Sequence, residues 1–364
     1  MLYGISGAWY GLACGIGLIL LAFIAPKLRK LSLFTAPEYL GNRYESGFVR
    51  NYATVTSMIA LIGILAAQII ATQHLLAIFG IPPAIASIIA TLIFISYTYL
   101  GGMWAVTLTD FFQLTITALG VIALAIFASP TIASVSSTPE VLSPLAVVGI
   151  VLPTVMYTLI GQDFYQRLFS ARDEKVAKNS SLMGGIMLCA MSFLPAMIGL
   201  SLLNYGNEFY GALGSFFNAI PTAFGSLFVI MVLGGIMSTA DSLLSALSSH
   251  VVKDVIKSTT KGLFYSRASV VGMGVFALLL SFAMPTIIDA LVFSYTIYTA
   301  AIFFPLVLGM FWKGGNATGA ISSMLIATAV VIVGFFFNPL DIPLEIFGSM
   351  VSLIIYVLVS YVTG

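Results

Sequence analysis

Residues 223–252 read AFGSLFVIMVLGGIMSTADSLLSALSSHVV. The stretch is long and apolar enough to cross a bilayer, because a membrane helix takes about 20 mostly apolar residues. Yet it carries Ser238, Thr239, Asp241, Ser242, Ser245 and Ser249. Ser238, Asp241, Ser242, Ser245 and Ser249 recur at helical spacing and so share one face. A carboxylate followed by hydroxyls makes a path of hard oxygen ligands, which small hydrated cations prefer. An ionisable group in such a helix costs about 2.5–3.5 kcal/mol on insertion scales and marks an ion or substrate path by default.

The rest of the chain has the same character. It is 60% hydrophobic and 7% charged, with a mean hydropathy of +1.10. A soluble domain would carry about 25% charged residues. This is therefore an all-α, polytopic protein of the lipid bilayer. Apolar runs lie near 8–25, 54–79, 84–100, 106–128, 144–161, 182–204, 223–250, 265–284, 287–312, 317–337 and 342–362, which predicts eleven spans. The polar stretches 27–51, 163–180 and 251–267 are too short to fold alone. Met1-Leu2-Tyr3 carries no charge, so a cleavable signal is not expected. Cys14 and Cys189 sit within apolar runs and read as small buried residues. His74 and His250 are far apart, with no Cys/His cluster beside either, so no structural metal is expected. No nucleophile–base pair or phosphate loop suggests an enzyme, and nothing calls for nucleic acid or an obligatory protein partner.

Lysine and arginine orient the spans. Lys27, Arg29, Lys30, Arg43 and Arg50 follow the first span, and Arg167, Arg172, Lys175 and Lys178 follow the fifth. Lys253, Lys257, Lys261 and Arg267 follow the seventh, and Lys313 follows the ninth. With eleven spans, all 14 basic residues fall on one side, while loops 129–143, 205–222 and 338–341 carry none. The amino terminus is expected outside and the carboxyl terminus in the cytoplasm of a multi-pass cell-membrane protein.

Local signals refine this plan. Thr35 and Pro37 predict a short interfacial helix. Gly101-Gly102 is read as a turn between the third and fourth spans. The fifth span is short and holds Pro153, with Gly149 before it and Gly161 after. Such interruption points to a discontinuous helix at a transporter's binding site, unwound near Pro153 to Tyr157, or else to a kinked packing helix.

Several motifs then resemble one family. Gly101-Gly102-Met103-Trp104-Ala105-Val106-Thr107-Leu108-Thr109-Asp110-Phe111-Phe112-Gln113 is similar to the Gly-Gly-x-x-Ala-Val-x-x-Thr-Asp-x-x-Gln signature of the sodium:solute symporters. Gln162 to Arg167 resembles that family's Gln-Arg loop, and Met237 to Ser242 its Ser-Thr-x-x-Ser cation helix. Thr35 to Leu40 and Phe311-Trp312-Lys313 match as well. The resemblance implies the LeuT-type fold of two inverted five-helix repeats plus peripheral helices. On that reading residues 1–128 are an incomplete first repeat of four helices. Residues 143–312 are the second repeat and 317–364 are peripheral. Family members carry two further helices before the one matching 8–25. The second of those supplies part of the solute pocket and of the main sodium site, so residues 1–364 alone are expected to insert in the membrane without accumulating solute.

The resemblance also implies site residues. Gly235, Ser238 and Thr239 match the family's sodium ligands, the first through its carbonyl. For the two hydroxyls the alternative is helix–helix hydrogen bonding. Asp110 matches a residue that, with Asp241 and Ser242 opposite, forms a second cation site or exit path. Asp110 also fits a helix N-terminus favoured by the macrodipole, and Asp241 could pair with a cytoplasmic Arg or Lys. Tyr157 matches an aromatic gate, with Thr154 one turn before it, or both simply pack. No lysine or arginine is expected within a span. The implied function is symport of a sodium ion with a small organic solute by alternating access. Two rivals stay open: a truncated, non-transporting remnant or membrane sensor on the same scaffold, and a proton-coupled carrier.

Overall fold

The computed structural model describes residues 4–132, 142–205, 215, 222–257, 261–284, 286–337 and 343–364. Among them there is no strand. The helices are α1 (Trp9–Lys30), α2 (Ala36–Tyr44), α3 (Gly47–Ala77), α4 (Pro83–Ile132), α5 (Pro144–Ile160), α6 (Gln162–Ser170), α7 (Glu174–Met191), α8 (Phe193–Ser201), α9 (Thr222–His250), α10 (Gly262–Ala283), α11 (Ile287–Phe311), α12 (Ala317–Phe336) and α13 (Leu344–Thr363). They supply eleven stretches long and apolar enough to span a membrane, as expected. The loops expected outside fall largely beyond the described residues.

Side-chain caps start these helices where the sequence places them. Thr35 Oγ1 accepts from Glu38 N at 3.2 Å, Glu38 Oε2 accepts from Phe34 N at 2.9 Å, and Pro37 sits in the first turn of α2. That is the reciprocal capping that stabilises a helix start by about 1 kcal/mol. Ser143 caps α5, Asp173 caps α7 and Asn316 caps α12, each accepting one backbone N–H of the first turn.

Two expectations change. At Gly101-Gly102 the two expected spans meet, but the backbone keeps helical hydrogen bonding from Pro83 to Ile132 instead of opening into a loop. Straight, those residues would reach about 75 Å, so α4 holds two apolar stretches, Pro83–Gly101 and Val106–Phe127. Glycine in a helix costs about 1 kcal/mol, less than leaving backbone groups unpaired at membrane depth. The break in the fifth span is also displaced. The backbone stays helical through Pro153 and Tyr157 and leaves the helix at Gly161, with φ −63° and ψ 131°. Proline removes a single N–H, which a packed helix tolerates. At Gly161 replacement donors exist: Tyr298 Oη donates to Ile160 O at 2.9 Å and Tyr165 Oη to Leu159 O at 3.0 Å. These hydroxyls satisfy carbonyls that the helix end would orphan. A Cβ on Gly161 would stand 2.7 Å from Asp163 Oδ1 and 3.1 Å from Tyr157 Cε1, so any larger residue would have to displace those side chains.

The basic segments gather at one end of the bundle. Arg29 Nε donates to Ala171 O at 2.5 Å, and Lys27 reaches Met310 O. Arg43 donates to Gly309 O at 2.8 Å and Trp312 O at 3.0 Å, capping the carbonyl end of α11. Tyr44 Oη meets Pro305 O at 2.6 Å and Tyr356 Oη at 2.5 Å, which ties α2, α11 and α13 together. Burial raises the Tyr44 pKa, so its hydroxyl stays protonated. At the end of α9 a π-helical turn, Val251–Ile256, carries Asp254 inward. Asp254 Oδ1 accepts from Arg50 Nη2 at 2.8 Å and Thr35 Oγ1 at 3.0 Å, and its Oδ2 meets His250 Nδ1 at 2.9 Å. Ser57 Oγ closes the network on His250 Nε2 at 2.9 Å. His250 is thus a structural partner on α9.

Candidate functional site

The polar stripe of α9 meets α4 and α6 toward the end of the bundle where the basic residues gather. Ser238 Oγ donates to Asp110 Oδ1 at 2.5 Å. Arg167 Nη2 donates to Asp110 Oδ2 at 3.0 Å and to Ser242 Oγ at 2.5 Å. The Ser242 hydroxyl donates in turn to Ser238 O at 3.0 Å. The guanidinium therefore bridges Asp110 on α4 and Ser242 on α9, while Ser238 Oγ holds the other carboxylate oxygen. Gln166 Nε2 donates to Ser242 O at 2.9 Å and fastens α6 to the same turn of α9.

This redistributes the expected residues. Ser238, read with the first sodium site, joins Asp110 and Ser242 of the second. Asp241 does not bond to Asp110: its carboxylate is fully buried, Oδ1 accepts from Thr98 Oγ1 at 3.1 Å, and Oδ2 has no partner. On the other edge of the stripe Thr239 is exposed, and its hydroxyl donates to Gly235 O at 3.1 Å. No described atom lies within 4 Å of where a Cβ on Gly235 would stand. Asp110 is the member paired with a basic residue, a role the sequence suggested for Asp241. Arg167 lies beyond the apolar run 144–161, on α6 after the Gly161 break, and reaches back to α4 and α9 from there. Its side chain stays about half exposed while it makes these contacts.

Below this cluster lies a cavity of about 560 Å³, lined by Arg29, Ser32, Thr98, Gln166, Ser245 and Ser249 among others. Gln166 Oε1 is buried there without a partner. Ser245 and Ser249 of the stripe thus face a cavity whose wall also holds Leu33, Phe34, Phe169 and Val270.

A second cluster surrounds the break. Tyr157 is buried, and its Oη donates to Asp163 Oδ1 at 3.1 Å. Its ring lies 4.7 Å from that of Tyr295, with Tyr298 and Phe164 edge-on at 6.2 and 6.4 Å. Tyr10 Oη meets Tyr295 Oη at 2.6 Å. Thr154 is buried one turn earlier, but its hydroxyl is spent on Ile150 O at 2.6 Å. Asp163 was the residue the sequence reading passed over.

Comparison with known proteins follows the same lines. The sequence model of the sodium:solute symporter family matches residues 1–327. The chain is 25% identical to the sodium/pantothenate symporter of Haemophilus influenzae, over 92% of this chain and 75% of that protein. It is 26% identical to the high-affinity proline transporter PutP of Bacillus subtilis, over 91% of this chain and 78% of the relative. Its fold matches a substrate-bound, outward-open Na+-coupled sialic acid symporter with a TM-score of 0.82 at 19% identity, covering 99% of this chain and 86% of that one. Mhp1, in an inward-facing conformation, matches with a TM-score of 0.64 at 12% identity, covering 99% and 84%. The family and these relatives are transporters rather than enzymes, and this chain, a multi-pass membrane protein with a LeuT-type fold, belongs to the sodium:solute symporter family.

Proposed function

We propose that α9 binds sodium in a transporter that couples sodium entry to the movement of a small organic solute by alternating access, residues 1–364 supplying the α9 ligands but not, on their own, accumulation. The observation that carries this is the cluster of Asp110, Ser238 and Ser242 oxygens, which already binds one positive charge, Arg167, on the helix whose Ser245 and Ser249 line the neighbouring cavity. A hard cation exchanges readily among such ligands. Gly235 O and the Thr239 hydroxyl add two oxygens on the open edge of the same helix. The solute site lies at the Gly161 break, gated by Tyr157 with Thr154 behind it. The amino terminus lies outside and the carboxyl terminus in the cytoplasm. Residues 1–128 and 143–312 act as the two inverted repeats, with 317–364 peripheral. Each sodium entering gains about 2.3 kcal/mol per 100 mV of membrane potential. The relatives suggest a solute of the size of an amino acid or pantothenate.

Ser238→Ala and Thr239→Ala test this. Each removes an oxygen ligand, so each should raise the sodium concentration that half-saturates binding or uptake. Asp110→Asn should weaken sodium dependence further. Unchanged sodium activation in all three would falsify the site. A second reading rests on Asp241, whose buried carboxylate has one oxygen without a partner. Such a group can carry a proton, and solute flux driven by pH without sodium would favour it.

A further inference from the structure

Asp163 is a carboxylate that the cation cluster does not use. It lies in the first turn of α6, immediately after the Gly161 break. The macrodipole there favours an ionised aspartate, but a dipole needs no aromatic rings, and here they come from three parts of the chain. Tyr157 and Phe164 flank the break itself, Tyr295 and Tyr298 come from α11, and Tyr10 comes from α1. The nearest basic residue in sequence, Arg167, is turned to Asp110 and Ser242. Lys27, Arg29, Arg43 and Arg50 are engaged with the cytoplasmic ends of other elements. The cluster thus combines a negative charge with the negative faces of aromatic rings. Both attract a cation, and both repel an anion.

We propose that Asp163, with the Tyr157–Tyr295 pair, recognises a positively charged nitrogen, so that the solute is a protonated amine or a quaternary ammonium compound, cationic or zwitterionic. This rests on the reading of the Gly161 break as the solute site. The hydrogen bond from Tyr157 restrains the carboxylate, so the tyrosine hydroxyl is a positioning group.

The test is direct binding of radiolabelled choline, glycine betaine, L-alanine, D-glucose and acetate to the whole chain in nanodiscs, with and without sodium. At least one of the three nitrogen cations should bind about tenfold or more tighter than glucose or acetate, the size of a desolvated cation–π or charge contact. Asp163→Asn should lose that preference, Asp163→Glu should keep part of it, and Tyr157→Phe should fall between. Radiosodium binding and an unchanged size-exclusion profile show that the variants are folded. Glucose or acetate binding best, none of the nitrogen cations binding, or Asp163→Asn binding them as the wild type does would each overturn the assignment. Binding that depends on Asp163 but not on sodium would sink the symport reading and leave this one standing.

Discussion

Replacing Arg167 with Gln should tighten sodium binding. The guanidinium contacts Asp110 Oδ2 at 3.0 Å and Ser242 Oγ at 2.5 Å, and Ser238 occupies the other carboxylate oxygen at 2.5 Å. An arriving cation needs those same oxygens, so arginine and sodium compete. The Arg167 side chain is 53% exposed and that of Asp110 20%, so water screens the pair. Its ionic part is then worth what exposed bridges are, about 0.2–1 kcal/mol. The hydrogen bond to Ser242 adds about 1 kcal/mol. Removing a competitor worth about 1–2 kcal/mol should lower half-saturating sodium about 5- to 30-fold. Equilibrium binding of radiosodium to Arg167→Gln, Asp110→Asn and the double variant in nanodiscs forms a double-mutant cycle. The Arg167 effect should vanish once Asp110 is neutral. Weaker binding by Arg167→Gln would refute the competition and make Arg167 a strut that orients Asp110.

Other consequences are as direct. Asp254→Ala leaves Arg50 and His250 facing each other without their shared carboxylate. Loss of one partner of a buried pair costs about 3–5 kcal/mol, so the melting temperature in detergent should fall well below that of Asp173→Ala, which removes only an exposed cap. Gly161→Val puts atoms where Asp163 Oδ1 and Tyr157 already stand, and should abolish solute binding while radiosodium binding persists; equal loss of both would show that the break and the cation cluster are not separate sites. Cysteines placed by Lys175→Cys and Lys261→Cys should react with an impermeant reagent only after permeabilisation, and Tyr210→Cys without it. The reverse pattern would invert the topology.

Much of this molecule was legible from one dimension. The membrane class followed from hydropathy, the span count from run lengths and the start of α2 from Thr35, Pro37 and Glu38. The oxygen stripe of α9 followed from helical spacing. These depend on neighbours within a turn or on bulk transfer energy, which the residue order carries by itself. The partners did not follow. Arg167 counted as a cytoplasmic charge, and only the re-entry of α6 after Gly161 brings it to Asp110. Pro153 outweighed Gly161 as a helix breaker until the Tyr165 and Tyr298 hydroxyls showed where free carbonyls could be satisfied. Asp241 and Asp110 lie on the expected helices, but a lateral offset gives one to Thr98 and the other to Arg167. Asp163 drew no notice among polar neighbours, because its aromatic surroundings come from residues 10 and 295. Sequence determined which segments enter the membrane and which faces are polar. Tertiary packing decided which charges meet, because a hydrogen bond depends on ångström-scale positions that distant segments set together.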